Sequence, residues 1–182
     1  DLEEERQVRM LQLLTAKPIL YVCNVEEEAA ADGNAHSVRV AQKAEAEGAA
    51  CVVISAAVEA EISQLDDKAE RAEFLESLGL EETGLARVIR AGYELLGLIT
   101  FFTVGPKEAR AWTVAKGAKA PQAAGVIHTD FEKGFIRAET TAYEDFVSHG
   151  GEQGAKDAGR MRLEGKDYVV QDGDVMLFRF AN

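Results

Sequence analysis

A chain of 182 residues, 47% hydrophobic and 29% charged, is long enough to bury a real core as one large domain or two small ones. Its formal net charge of -12 argues against a protein wrapped in nucleic acid, whose phosphates demand concentrated Lys and Arg, although a local basic patch escapes that average. No apolar stretch approaches the length of a membrane span and the opening DLEEERQVR does not read as a signal peptide, so the expected compartment is the cytoplasm, with no membrane partner.

The chain begins without Met, inside a helical pattern (Val8, Leu11, Leu14), as expected of a piece of something longer. KPILYVCN, residues 17–24, reads as a strand that stops at Asn24, where carboxylates follow at once. Residues 34–47 suit a helix, with Asn34 as its cap and Gly48 as its stop. AACVVISA, residues 49–56, is a second short apolar strand. Two such strands joined through a helix predict a βαβ unit with a parallel sheet buried on both faces. Cys23 and Cys51 fall inside these strands as small buried thiols. His36, His128 and His149 lack partners at ligand spacing.

Residues 58–96 read as mostly helical, with a break at LGLEETG, residues 78–84. From Leu98 the texture changes to short strands and turns: ITFFTVG, ARAWTVAKG, GFIRAETT, YVV and VMLFRF are β-like, with short helical candidates at 121–127 and 143–149. GGEQGAKDAG, residues 150–159, reads as a flexible loop. This mixed order fits a small α+β domain of the β-grasp kind, with the boundary near residue 97.

In a parallel sheet, ligands bind beyond the carboxyl ends of the strands. Asn24, Glu26 and Glu27 follow the first strand and Ser55 follows the second. An amide both donates and accepts, so Asn24 can hold the N7 and exocyclic edge of a purine, and backbone N–H groups of the ISA turn can complete the pocket. The alternative is a capping Asn with a solvated acidic loop.

KPILYVCNVEEE, VVISAAVEAEI, LARVIRAGYELLGLITFFTVG, AKAPQAAGVIHTDFEKGFIRAET and LEGKDYVVQDGDVMLFRF together resemble the C-terminal half of the YchF family of Obg-related P-loop ATPases. The resemblance runs across essentially the whole chain. It implies that residues 1–16 end a helical coiled-coil insertion, that residues 17–97 finish a G domain, and that residues 98–182 form a TGS domain, a ubiquitin-like β-grasp fold. The fold class is therefore α/β, the end of a P-loop-type parallel sheet with helices, followed by an α+β unit.

GTPases of this class carry Asn-Lys-x-Asp at the base-binding strand end, and the resemblance puts Asn24, Val25, Glu26 and Glu27 there. Val25 replaces the Lys along the base, and the longer Glu27 replaces the Asp. Guanine presents N–H groups that reward a fixed aspartate, whereas adenine presents a bare N1 acceptor. The resemblance thus implies ATP with magnesium as the ligand, GTP being less favoured. Asn24 would take the purine edge, Val25 the base, and Ser55 with Ala56 the second wall. Glu27 would meet the exocyclic amine or shape the loop.

No G-x-x-x-x-G-K-[ST] occurs in these residues, nor a strand-end D-x-x-G, so the chain alone is not expected to hydrolyse ATP. No catalytic residue and no metal ligand is assigned within it.

KEARAWTVAKGAK, residues 107–119, carries Lys107, Arg110, Lys116 and Lys119 around Trp112. Such a strip suits phosphate contact with base stacking, and the family implies contact with RNA, the ribosome or its subunits. The plainer reading is a core Trp beneath a solvated charged face. The alternative function is a nucleotide-independent module binding RNA, ribosome or protein. Edge pairing by the strand-rich end would serve other proteins. A ubiquitin-like carrier is disfavoured, because the chain ends in RFAN without a glycine pair. His128, Asp130 and Glu132 in IHTDFEKGF read as a hydrogen-bonded turn without a nucleophile or metal partner.

Overall fold

The computed structural model describes residue 4, residues 7 and 8, and residues 10–181. Backbone contacts divide the chain into two units, Asp1–Leu96 and Gly97–Asn182. The helical segment expected over residues 1–16 lies in part outside the described residues; within it, Leu14–Ala16 makes a single 3-10 turn.

In the first unit, β1 (Leu20–Asn24) and β2 (Ala50–Ile54) pair in parallel, from Leu20↔Ala50 to Asn24↔Ile54. The crossover is α1 (Ala35–Glu47), whose start is fixed as the sequence implies. Asn34 Oδ1 accepts from the N–H groups of His36 and Ser37, both at 3.0 Å, while Ser37 Oγ accepts from the Asn34 N–H at 2.8 Å. Gly48 closes α1 in the left-handed region at φ 66°. Three further helices follow, α2 (Ala56–Ile62), α3 (Lys68–Ser77) and α4 (Gly84–Leu95). A small core of Ala30, Val58, Ile62 and Leu80 is packed by Phe74, Leu75 and Leu78.

The expected burial of both sheet faces is incomplete within this unit. Val22 of β1 is 46% exposed, because β1 has β2 as its one strand partner among the described residues and two strands cannot cover their own faces. Cys23 and Cys51 are half-buried free thiols with sulfurs 3.9 Å apart. Burial, and then the hydrogen bond with Cys23, push the Cys51 thiol up, which keeps it protonated and unreactive at neutral pH.

The second unit begins with an antiparallel hairpin of β3 (Leu98–Val104) and β4 (Ala109–Ala115). Then come α5 (Ala120–Ile127), α6 (Thr129–Lys133), β5 (Phe135–Ala142), α7 (Tyr143–Ser148), α8 (Glu152–Asp157), β6 (Arg162–Glu164) and β7 (Asp174–Phe180). The strand order is β4-β3-β7-β5-β6, with β3 and β7 parallel and every other neighbouring pair antiparallel, which is the order of a β-grasp. Ala120, Ala123 and Ala124 of α5 are fully buried against a core that includes Phe101, Val114, Ala138, Met176 and Phe178. Small side chains let this helix lie close on the sheet.

Residues 150–159, expected as a flexible loop, contain α8 instead. Ala155 is fully buried, and a Cβ on Gly154 would stand 1.8 Å from the His149 carbonyl oxygen, so that glycine serves close packing rather than freedom. YVV, expected as a strand, makes one isolated bridge between Lys119 and Val169; the sixth strand is Arg162–Glu164. Tyr168 is held instead by its side chain, whose hydroxyl donates to the buried carboxylate of Asp174 at 2.7 Å. The turn expected around His128 is the short helix α6, with His128 Nδ1 accepting from the Asp130 N–H at 3.2 Å. Among the described residues no helix is long and apolar enough to cross a membrane.

Two glycines of α4 predict opposite outcomes. A Cβ on Gly84 would lie 2.9 Å from Ile54 Cγ2 and 3.1 Å from Glu59 Oε1, whereas one on Gly92 would meet nothing within 4 Å. Gly84→Ala should destabilise the first unit by about 1–3 kcal/mol through overpacking. Gly92→Ala should stabilise it by about 0.5–1 kcal/mol through helix propensity. Denaturant unfolding of both variants against the parent checks the pair.

Candidate functional site

The ends of β1 and β2 are joined by two hydrogen bonds just beyond the strands. The Val25 N–H donates to the Ile54 carbonyl at 2.8 Å, continuing the parallel ladder by one residue. The Ala56 N–H, at the start of α2, donates to Asn24 Oδ1 at 2.9 Å. Because this N–H needs an acceptor, the amide of Asn24 is oriented with its oxygen inward. Its Nδ2 has no partner among the described residues, and Asn24 is exposed. The group presented at the strand end is therefore a double donor, which matches an acceptor such as the N7 common to both purines.

The neighbouring residues divide into those at the surface and those beneath it. Val25 is 8% exposed, so its side chain is packed inside the unit. Ser55 is 2% exposed, and among the described residues its Oγ has no hydrogen-bond partner, an orphan directly beside the Asn24–Ala56 bond. Glu27 opens the 3-10 turn Glu27–Ala29 and is exposed, with its backbone carbonyl accepting from the Ala30 N–H at 3.0 Å. Glu26 shapes the loop, since its two carboxylate oxygens accept from Asn34 Nδ2 at 3.2 and 3.1 Å. A hydrogen bond with its own backbone, and then the Asn34 amide, hold the Glu26 carboxyl below the usual carboxylate range.

A second tether fixes the far side of the same turn. Glu59 of α2 accepts from the N–H groups of Gly84 at 2.6 Å and Leu85 at 3.2 Å, placing a carboxylate at the start of α4. Sequence reading missed this contact because Glu59 and Gly84 are 25 positions apart, and a mid-helix Glu carries no local capping signal. The Glu26–Asn34 contact was missed for the same reason, since Asn34 already had a local role as helix cap. Among the described residues no group of three or more His, Cys, Asp or Glu is placed to hold a metal ion.

The basic residues of the second unit fall into two groups. Lys107 lies in the β3–β4 hairpin loop, beside Arg110 and Trp112 of β4. The Arg110 guanidinium sits 4.1 Å from the Trp112 ring centroid, and the indole N–H donates to Thr103 Oγ1 at 2.9 Å. Trp112 is half-buried against the core, so it is neither a fully exposed stacking platform nor a sealed core residue. Lys116 and Lys119 follow the opposite end of β4, a strand of 7 residues and about 20 Å. The Lys119 ammonium pairs with the exposed Asp167 carboxylate at 2.7 Å, and that hydrogen bond lowers the Asp167 pKa.

Comparison with known proteins matches the sequence and fold of the chain to one family. A family model described as "YchF-GTPase_C: Protein of unknown function (DUF933)" matches residues 98–181. The "Ribosome-binding ATPase YchF" of Haemophilus influenzae is 59% identical over 180 residues, covering 99% of this chain and 49% of the relative. The protein of the same description from Bacillus subtilis is 55% identical over 180 residues, with 98% and 49% covered. "Obg-like ATPase 1" of Rattus norvegicus is 43% identical over 171 residues, with 92% and 43% covered. The solved YchF GTPase of Schizosaccharomyces pombe aligns with a TM-score of 0.80 at 35% identity, covering 94% of this chain and 46% of that one. The chain thus spans about half the length of the curated relatives it matches. With its parallel strand pair, its β-grasp unit and this identity across nearly every residue, the chain belongs to the YchF family.

Proposed function

We propose that this chain supplies base recognition and a contact domain to a YchF-type ATPase that binds the ribosome or its subunits. In this reading residues 1–16 end the helical insertion, residues 17–97 complete the G domain, and residues 98–182 are the TGS domain. The observation that carries it is the Asn24 Oδ1–Ala56 N–H bond, which locks two strand ends together and turns the amide NH2 outward. The bacterial relatives are described as ribosome-binding ATPases, which supports it. The relatives are ATPases and the solved neighbour a GTPase by description, so the descriptions alone do not set the base preference.

The chemistry of the site removes a reason to prefer guanine, and with it the ATPase descriptions of the relatives favour ATP. Asn24 reads N7, which adenine and guanine share, and so selects a purine without choosing between them. The choice falls to the position of Glu27, where the fixed aspartate that rewards guanine N–H groups is missing. Glu27, exposed on a 3-10 turn, has no rigid hold on a base edge. Val25 contributes through its backbone, since its side chain is buried. Ser55 and Ala56 form the second wall, with the orphaned Ser55 hydroxyl as the polar atom that ligand-induced adjustment would satisfy. Phosphate and magnesium need a Walker-type cradle that these residues do not contain. The protein acts in the cytoplasm, where ribosomes are.

The 182-residue chain alone should give neither ATP hydrolysis nor tight ATP binding, and a protein that adds an upstream P-loop should give both; turnover by the isolated chain would overturn the division of labour. In that longer protein, Asn24→Ala should weaken ATP and GTP binding alike, by about tenfold, through loss of the N7 contact. Ser55→Ala should leave the nucleotide-free protein as stable as before or more so, because its hydroxyl has no partner to lose, yet weaken nucleotide binding. Titration calorimetry with thermal melts reads both. Replacing Lys107, Arg110, Lys116 and Lys119 together by Ala should weaken ribosome co-sedimentation, most steeply at low salt. Unchanged co-sedimentation across a salt series would reject that surface.

A further inference from the structure

A groove lies on the sheet of the second unit, between the β3–β4 hairpin and α7. Its floor is the aromatic pair Phe102 and Tyr143, whose ring centroids are 5.6 Å apart. To one side of this pair is an apolar opening walled by Val104, Ala111, Phe146, Val147 and Val175. To the other is an opening lined by Ala142, Glu144, Asp172 and Gly173. Phe102 and Tyr143 belong to both, so the two openings are one continuous surface. Tyr143 and Val147 are 52% and 57% exposed. Exposed apolar side chains scattered singly are ordinary, but here they gather around one groove, which is the mark of an interaction site.

The acidic end of the groove is built on backbone hydrogen bonds. Asp172 Oδ1 accepts from the Thr100 N–H at 2.8 Å, which leaves its other oxygen free. The Tyr143 N–H donates to the Gly173 carbonyl at 3.0 Å, which sets Glu144 beside the same turn. Glu144 and Asp172 are exposed, and neither has an ion-pair partner among the described residues. Asp145, the next residue of α7, is by contrast matched by Arg160 at 3.7 Å. Arg110 borders the apolar opening, but its guanidinium lies 4.1 Å from the ring centroid of Trp112, which packs against the core on the opposite face of the sheet. Lys107 stands in the hairpin loop, past Val104 and away from the carboxylates.

Charge and spacing select the occupant. Two unmatched carboxylates beside an aromatic floor attract a cation whose stem lies on the ring, and the walls beyond take an aliphatic side chain. Thr100, to which Asp172 is anchored, and Val104 stand at opposite ends of this stretch of β3, about 13 Å apart along the strand. An extended peptide covers that length in about four residues. We infer that the groove takes an extended segment of a protein partner, with a lysine or arginine at the carboxylate end and a bulky aliphatic residue about three or four positions away. RNA and acidic peptides fit less well, since Glu144 and Asp172 repel both. A second copy of the chain fits less well too, because two molecules of net charge -12 repel one another. The inference goes beyond the nucleotide and ribosome reading, and failure of a peptide to bind leaves the co-sedimentation test untouched.

The experiment is an amide NMR titration of the 182-residue protein with a blocked synthetic peptide of about eight residues, one arginine and a leucine three positions later in a glycine–serine background. Resonances of Phe102, Ala111, Tyr143, Val147 and Gly173 should shift together. Glu144→Gln combined with Asp172→Asn, which removes both charges but keeps an acceptor for the Thr100 N–H, should weaken binding about fivefold and abolish its salt dependence. Val147→Ser should weaken it about fivefold without altering that salt dependence. Both variants change exposed side chains, so melting curves should match the parent. A peptide with glutamate for the arginine should bind at least tenfold more weakly. Equal binding of the arginine and glutamate peptides, shifts confined to other residues, or stronger shifts at the groove with a single-stranded RNA 12-mer would overturn the inference. So would self-association that alone shifts these resonances, or loss of peptide binding in the longer protein that carries the P-loop, which would show the groove covered by its own polypeptide.

Discussion

One side-chain contact organises the first unit: the hydrogen bond from the Ala56 N–H to Asn24 Oδ1. A parallel strand pair has no hairpin to join its ends, and here the carboxyl edge is closed by the Val25 N–H on the Ile54 carbonyl and by the Asn24 side chain. Asn24 carries that link onward to the start of α2. Three residues further on, Glu59 of the same helix reaches the first two N–H groups of α4. Position is thus passed from β1 to α2 to α4 through two side chains, each meeting backbone donors that helix starts leave unpaired. Gly84 belongs to this chain of constraints because the approach of α4 to Ile54 leaves no room for a methyl group.

Local signals made much of this readable in advance. Asn34 with Ser37, Gly48, and the alternation of helix with apolar strand are short-range features, and α1 and its flanking strands lie where they point. The outline of the second unit was readable for the same reason, since β3, β4, β5, β7 and α5 each carry their own periodicity and turn residues. What was not readable depends on distance. Helix α8 exists because Ala155 finds a buried site and Gly154 a close neighbour, neither of which its glycine-rich sequence announces. Tyr168 carries a strand-like sequence but is drawn out of the sheet by a buried carboxylate six positions later. At the candidate site, the sequence points to Asn24 at a strand end, but the direction of its amide is fixed only by the helix that follows β2.

Charge is distributed unevenly between the units. Residues 1–96 hold 9 Lys and Arg against 20 Asp and Glu, while residues 97–182 hold 11 against 12. Nearly all of the net charge of -12 therefore belongs to the first unit. A polyanion is repelled by that unit and meets close to neutrality in the second, where Lys107, Arg110 and Lys116 set a local positive strip. The same imbalance bears on nucleotide binding. On the proposed reading, an acidic loop of Glu26, Glu27 and Glu28 beside the base is tolerable because the base itself is neutral.

If the loop after β1 reads a base, as proposed, its sequence has a physical logic. Each change from the guanine-reading pattern removes a group that would act on the base: Val25 turns inward and is buried, and Glu27 stands on an exposed 3-10 turn without an anchor. Glu26, the intervening position, is spent on Asn34, which pins the loop to the cap of α1. What remains pointing outward is the Asn24 amide, held from behind by Ala56. On the proposed reading, a site built this way would recognise the feature shared by purines and leave the six-membered ring edge unread, so adenine would be accepted because nothing at that edge demands the protons of guanine.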